Sequence, residues 1–167
     1  MRFAEREFDV VYDPSELTTD TILQTISDLG FEPVVGAVPR EELESGLSPA
    51  AKAALDVKTI SHGERVVLAD HVAPGKITLF DYSAEWCGPC HALWPKIERL
   101  LAKRGDLAAR KIDIVNWESE VAKQATADFK MPSIPYVRVY AADGRHVGDV
   151  IGNDIDAIEA LVQQAAP

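Results

Sequence analysis

Apolar residues crowd together at one place in this chain. Residues 77–82 read ITLFDY, a nearly unbroken apolar run with Thr78 and Asp81 set into it, and such a run predicts a buried strand. The pattern then changes. Leu93, Ile97, Leu100 and Leu101 recur at helical spacing, which predicts a helix with one inward face. The strand therefore gives way to a helix across the stretch AEWCGPCHA.

The pattern continues on both sides. Residues 109–115, ARKIDIV, alternate as a strand, and residues 118–129 put Val121, Ala122, Ala125 and Phe129 on one helical face. Residues 131–140 predict a strand that begins at a proline. Ala141-Ala142-Asp143-Gly144 carries the Asp-Gly signal of a hairpin turn, with the returning strand over residues 146–151. Gly152 breaks that strand, and residues 155–162 form a last amphipathic helix. Ahead of the central run, His62-Gly63 lies between two apolar stretches and predicts a hairpin-like entry. This order predicts an α/β protein: a mixed central sheet covered by helices.

The front of the chain has its own pattern. Residues 7–12, EFDVVY, alternate toward a strand. Leu17, Ile22, Ile26 and Leu29 make a helical face, with Thr18, Thr19 or Asp20 as N-cap and Gly30 as stop. Residues 31–38 read as a second strand. One β-α-β unit of this size buries little apolar surface alone. Residues 39–57 read as a linker with helical turns, the second opening at Ser48-Pro49 and running through Leu55. The expected organisation is a small unit over 1–38, a linker over 39–57 and a main domain over 58–167.

Charge changes this picture in one respect. The chain has 167 residues and a net charge of -10, which disfavours nucleic acid and anionic membranes as partners. Residues 1–57 hold 4 Lys/Arg against 12 Asp/Glu, so most of the acidity belongs to the front. No stretch approaches the ~18 apolar residues of a membrane span. The start, MRFAEREFDV, lacks the apolar region of a secretion signal. The expected compartment is cytoplasmic, or periplasmic if an upstream leader has been removed. A monomer is expected, because copies with so acidic a front repel each other.

The candidate chemistry lies at the strand-to-helix junction. Cys87 and Cys90 are the two cysteines of the chain, separated by Gly88 and Pro89. Amide groups at a helix start have no intrahelical partner, and the helix dipole favours negative charge there. A thiolate at Cys87 is therefore stabilised, and a thiolate is the attacking species in disulfide exchange. Cys90, one turn on, can then attack the mixed disulfide and release the product. Pro89 suits the first helical turn. A bare C-x-x-C also occurs at zinc sites. Zinc needs four ligands, and only His62, His71, His91 and His146, scattered along the chain, could join the cysteines. Asp81, set mid-strand among apolar residues, is expected to have a raised pKa, because burial disfavours its charged form.

The string WCGPC, with the strand before it and the helix after it, resembles the active site of the thioredoxin family. The element order matches that fold over about residues 58–165. The resemblance implies a thiol–disulfide oxidoreductase that reduces protein disulfides and is itself reduced by an upstream reductase. It needs no cofactor or metal beyond the Cys87/Cys90 pair. It further implies that Asp81 accepts the proton of Cys90, that Lys111 lies near Asp81, and that Pro135 in SIPY is a cis-proline. Pro135 would set the Ile134 backbone opposite the cysteines for a substrate strand. Trp86 and Gly152 would complete an apolar rim, and Pro95 would kink the helix. His91 stands where that family commonly has Lys or Arg. Trp94 and Trp117 are expected in the core or at the rim.

The front stretch VVYDPSELTTDTILQTISDLGFEPVV is similar to the second half of a heavy-metal-associated domain. That family's metal-binding cysteines lie in the half this chain lacks, and residues 1–57 contain no cysteine or histidine. The alternative function is a thioredoxin-like binding module that handles a soft metal ion or serves a metal-handling partner.

Overall fold

A computed structural model of the chain describes residues 16–29, 31, 33 and 44–166. The strand expected over residues 7–12, most of that over 31–38 and the first helical turn of the expected linker lie outside them.

The described elements follow the apolar pattern. Helix α1 spans Thr19–Asp28 and is capped by the Thr18 hydroxyl, which accepts from the Thr21 N–H. Helix α2, Pro49–Ala53, is capped by Ser48 in the same way, with proline in its first turn. Then come β1 (Val57–His62), a 3-10 turn (Leu68–His71), β2 (Ile77–Ser83), α3 (Gly88–Lys103), β3 (Leu107–Asp113), α4 (Glu120–Phe129), β4 (Tyr136–Tyr140), β5 (His146–Ile151) and α5 (Ile155–Ala165). The strands form one mixed sheet in the order β1-β3-β2-β4-β5. β2 runs parallel to β3 and antiparallel to β4. None of the described helices is long and apolar enough to cross a membrane.

β2 is the centre because both its faces are apolar. Successive side chains point to opposite sides of a sheet. Ile77 and Leu79 therefore join α3 and α5 in one core with Leu93, Ile97, Val137 and Ile158. Phe80 and Tyr82 join the other core, with Val121, Ala125 and Met131. Asp81 shares the face of Leu79 by this alternation. Ile97 is fully buried at the centre of the α3 face. Replacing it with alanine is expected to cost about 3 kcal/mol of stability, measured by urea unfolding of both chains. A cost below ~1 kcal/mol would mean that α3 does not close this core.

Three elements differ from expectation. His62-Gly63 does not open a hairpin. β1 pairs in parallel with β3, and Gly63 (φ +98°) donates to the Asp113 carbonyl and accepts from Val121. The apolar run beyond it goes into the core as a 3-10 turn through Leu68. β3 begins and ends two residues before the expected bounds, since Val115 takes φ 59° and cannot continue a strand. β4 begins only after Pro135.

A charged cluster ties the stretch read as linker to the sheet. The Arg110 side chain is 5% exposed and meets Asp56 Oδ1 at 2.9 Å, while Asp56 Oδ2 meets Lys76 Nζ at 2.9 Å. Burial pushes the Asp56 carboxyl up, but hydrogen bonds from Lys76 and Arg110 more than offset it and hold the group below its usual range. Lys52 pairs with the buried Glu98 of α3 at 3.2 Å.

Candidate active site

The end of β2 aims the chain at the start of α3, and Cys87 is the N-cap of that helix. Its Sγ accepts from the Cys90 N–H at 3.2 Å. An N-cap residue satisfies an otherwise unpaired helix amide, and negative charge is favoured there. Gly88 and Pro89 fill the first two helical positions. Cys87 and Cys90 are joined as a disulfide with Cα atoms 5.3 Å apart, within the ordinary span of such bonds. This is the oxidised half of a dithiol couple. Both cysteines are buried, at 3% and 5% exposure.

Around the pair stands an apolar opening. Trp86 is 48% exposed, and its indole N–H donates to the Val115 carbonyl at 2.6 Å. The Ile134–Pro135 peptide bond is cis. Ile134, Pro89, Trp86 and Cys87 line one cavity together with Trp117. Gly152 is not part of that lining. Its N–H donates to the Pro135 carbonyl at 2.8 Å, and its φ of +85° is one that glycine adopts readily. It holds the proline loop from behind. The His91 ring N–H at Nε2 donates to the Glu85 carbonyl at 2.6 Å, tying the loop ahead of Cys87 to the first helical turn.

Asp81 lies on the α3 side of β2, 3% exposed, and its Oδ1 has no hydrogen-bond partner among the described residues. Burial pushes its pKa up to about 6, against the downward pull of Lys111 and the Ser83 hydroxyl. The parallel register sets Lys111 directly beside Asp81, and Arg110 beside Phe80. Lys111 also lies over Trp94, its Nζ 4.0 Å from a ring centroid, a favourable contact for a cation. The Trp94 indole in turn donates to Glu98. The site thus holds a disulfide at a helix start, a proton-binding carboxyl in a dry setting and one nearby cation. Leu29 and Phe31, read from the sequence only as part of the front helix face and strand, also line the opening. Their only signal was being apolar on either side of Gly30.

No group of three or more His, Cys, Asp or Glu placed to hold a metal is found among the described residues.

Comparison with known proteins agrees with this geometry. The thioredoxin family model matches residues 62–164. Thioredoxin of Coprinus comatus is 33% identical over 93 residues, which cover 54% of this chain and 82% of that protein. Thioredoxin H8 of Arabidopsis thaliana is 34% identical over 84 residues, and there the match spans only about half of each chain, 50% and 53%. Among solved structures, a chain in the crystal structure of the ferredoxin:thioredoxin reductase and thioredoxin f2 complex superposes with a TM-score of 0.53. It is 22% identical, over 66% of this chain and 94% of that one, a likeness of fold. The family model and the relatives that this chain matches are thioredoxins, and they give the soft-metal alternative no support.

Proposed function

Because the chain belongs to the thioredoxin family and is a thiol–disulfide oxidoreductase, we propose that it works as a reductant of protein disulfides. The observation that carries this reading is the Cys87–Cys90 disulfide at the start of α3, beside the cis Ile134–Pro135 bond. In the reduced chain, the Cys87 thiolate attacks one sulfur of a substrate disulfide. A bond forms between Cys87 and that sulfur, the substrate S–S bond breaks, and the other substrate sulfur leaves as thiolate and takes up a proton. Cys90, giving its proton to Asp81, then attacks Cys87 Sγ. The Cys87–Cys90 bond forms and the second substrate sulfur leaves. Two electrons pass to the substrate, and a dithiol reductase restores the chain. The redox group is the cysteine pair itself.

Ile134 offers its backbone to a substrate strand. A thioredoxin-fold chain crystallised with a thioredoxin reductase supports an upstream reductase as partner. We assign the chemistry to residues 58–167.

The test is reduction of insulin in the presence of dithiothreitol. The expected result is earlier precipitation than dithiothreitol alone gives, advancing further as the chain is added. Precipitation on the schedule of dithiothreitol alone would sink the reading.

A further inference from the structure

The opening beside Cys87 has one wall that the family match does not include. Leu29 and Phe31 follow α1, well ahead of residue 62, where the match begins. Leu29 is 70% exposed, Phe31 43%, Trp86 48% and Trp117 41%. Seven large apolar side chains are exposed among the described residues, and these four all line one cavity. Single exposed apolar residues are ordinary, but a group of them around one opening marks a contact surface. Phe31 is held in place by its N–H, which donates to the Ile26 carbonyl at 3.3 Å. Its ring carbon Cδ1 stands 4.0 Å from where a β-carbon on Gly88 would lie. The front segment therefore reaches the first residue of the active-site helix.

Size and polarity select the occupant. The cavity measures about 130 Å³, and an apolar cavity of about 150 Å³ holds one benzene-sized group. There is room for one Leu-, Ile- or Met-sized side chain. Apart from the Cys87 sulfur, a thiolate when the chain is reduced, no ionisable side chain lines the cavity, so a carboxylate entering it would lose its hydration and meet only like charge. The front of the chain is also strongly acidic, which repels acidic segments further. Cys87 forms part of the wall, so the side chain that enters belongs to the segment whose disulfide is attacked.

We propose that Leu29 and Phe31 complete an apolar cleft that takes one apolar side chain flanking the cysteine of a protein disulfide, so that the front segment sets substrate choice. This rests on the reading of the chain as a disulfide reductant.

The test uses the full chain, reduced beforehand and freed of reductant. It is mixed with three peptides, each closed by one internal disulfide, that differ only in Leu, Ser or Asp beside the attacked cysteine. The second-order rate of chain oxidation is followed by tryptophan fluorescence, with bis(2-hydroxyethyl) disulfide as a small substrate. The expected wild-type rate is about tenfold higher for the Leu peptide than for the Ser peptide, with the Asp peptide slowest. In Leu29→Ser and in Phe31→Ala the Leu-to-Ser ratio falls to about two or three. An unchanged ratio in both variants overturns the proposal, as does equal wild-type reaction with all three peptides. So does a uniform rise in rate with all peptides in the variants, which would make the segment a cover. A wild-type chain that reduces neither the peptides nor the small disulfide overturns the reductant reading itself, and this proposal with it.

Discussion

Serine at position 87 is expected to abolish disulfide reduction, and serine at position 90 to stop the chain on its substrate. Cys87 is the N-cap of α3, and its sulfur already accepts an amide hydrogen bond from Cys90. Both features favour the thiolate at Cys87. Cys90 lies inside the first turn and has no comparable position. Insulin reduction by Cys87→Ser is expected to fall to the rate of dithiothreitol alone. Cys90→Ser still attacks but cannot resolve, so a mixed disulfide accumulates and registers as a mass increase equal to the substrate. In the reduced wild-type chain, iodoacetamide at neutral pH labels Cys87 before Cys90. The opposite labelling order would exchange the two roles.

Asp81→Asn is expected to raise the melting temperature at pH 8 while slowing turnover. The folded carboxyl has its pKa pushed up to about 6 from an ordinary 3.8. A raised carboxyl pKa means that the folded chain holds this proton more tightly than the unfolded chain. That advantage is complete below pH 3.8 and is lost as pH rises through about 6. Relative to the protonated form, the ionised carboxyl costs about 3 kcal/mol above that range. Asparagine removes the charge, but its buried amide returns part of the cost, leaving a net gain of about 1–2 kcal/mol. That corresponds to a melting rise of about 5 °C at pH 8, with no rise at pH 4. Turnover should fall about 10²-fold if Asp81 takes the Cys90 proton as proposed. Parallel melting curves for the two chains across pH 4–8 would show that Asp81 does not titrate in this range.

Some of this was legible in the sequence, and the reasons differ by element. β5 was expected over 146–151 and lies there, because Asp-Gly on one side and Gly152 on the other bound it. β2 was legible as a nearly unbroken apolar run, and the inward face of α3 by the helical spacing of its apolar residues. β3 was placed two residues late, since Leu107-Ala108-Ala109 is too uniformly apolar to mark an edge. The placement of Lys111 near Asp81 came from the resemblance alone, not from any local pattern. It depends on the parallel register of two strands separated by a whole helix, and that register pairs Asp81 with Lys111. Leu29 and Phe31 were hidden for a similar reason. The cavity they share with Trp86 and Cys87 joins distant stretches of chain, and no local period records it.

The guanidinium of Arg110 also bears on where this protein can be cut. A trimmed form beginning at residue 58 would keep every strand but Val57, yet it would discard Asp56. The buried positive charge of Arg110 would then lose its ion pair. The Asp56 side chain is 25% exposed, so the loss is that of a half-buried pair, about 1–3 kcal/mol, a noticeable part of what a domain of this size has to spare. A residue that steadies the sheet thus lies upstream of the point where its described strands begin.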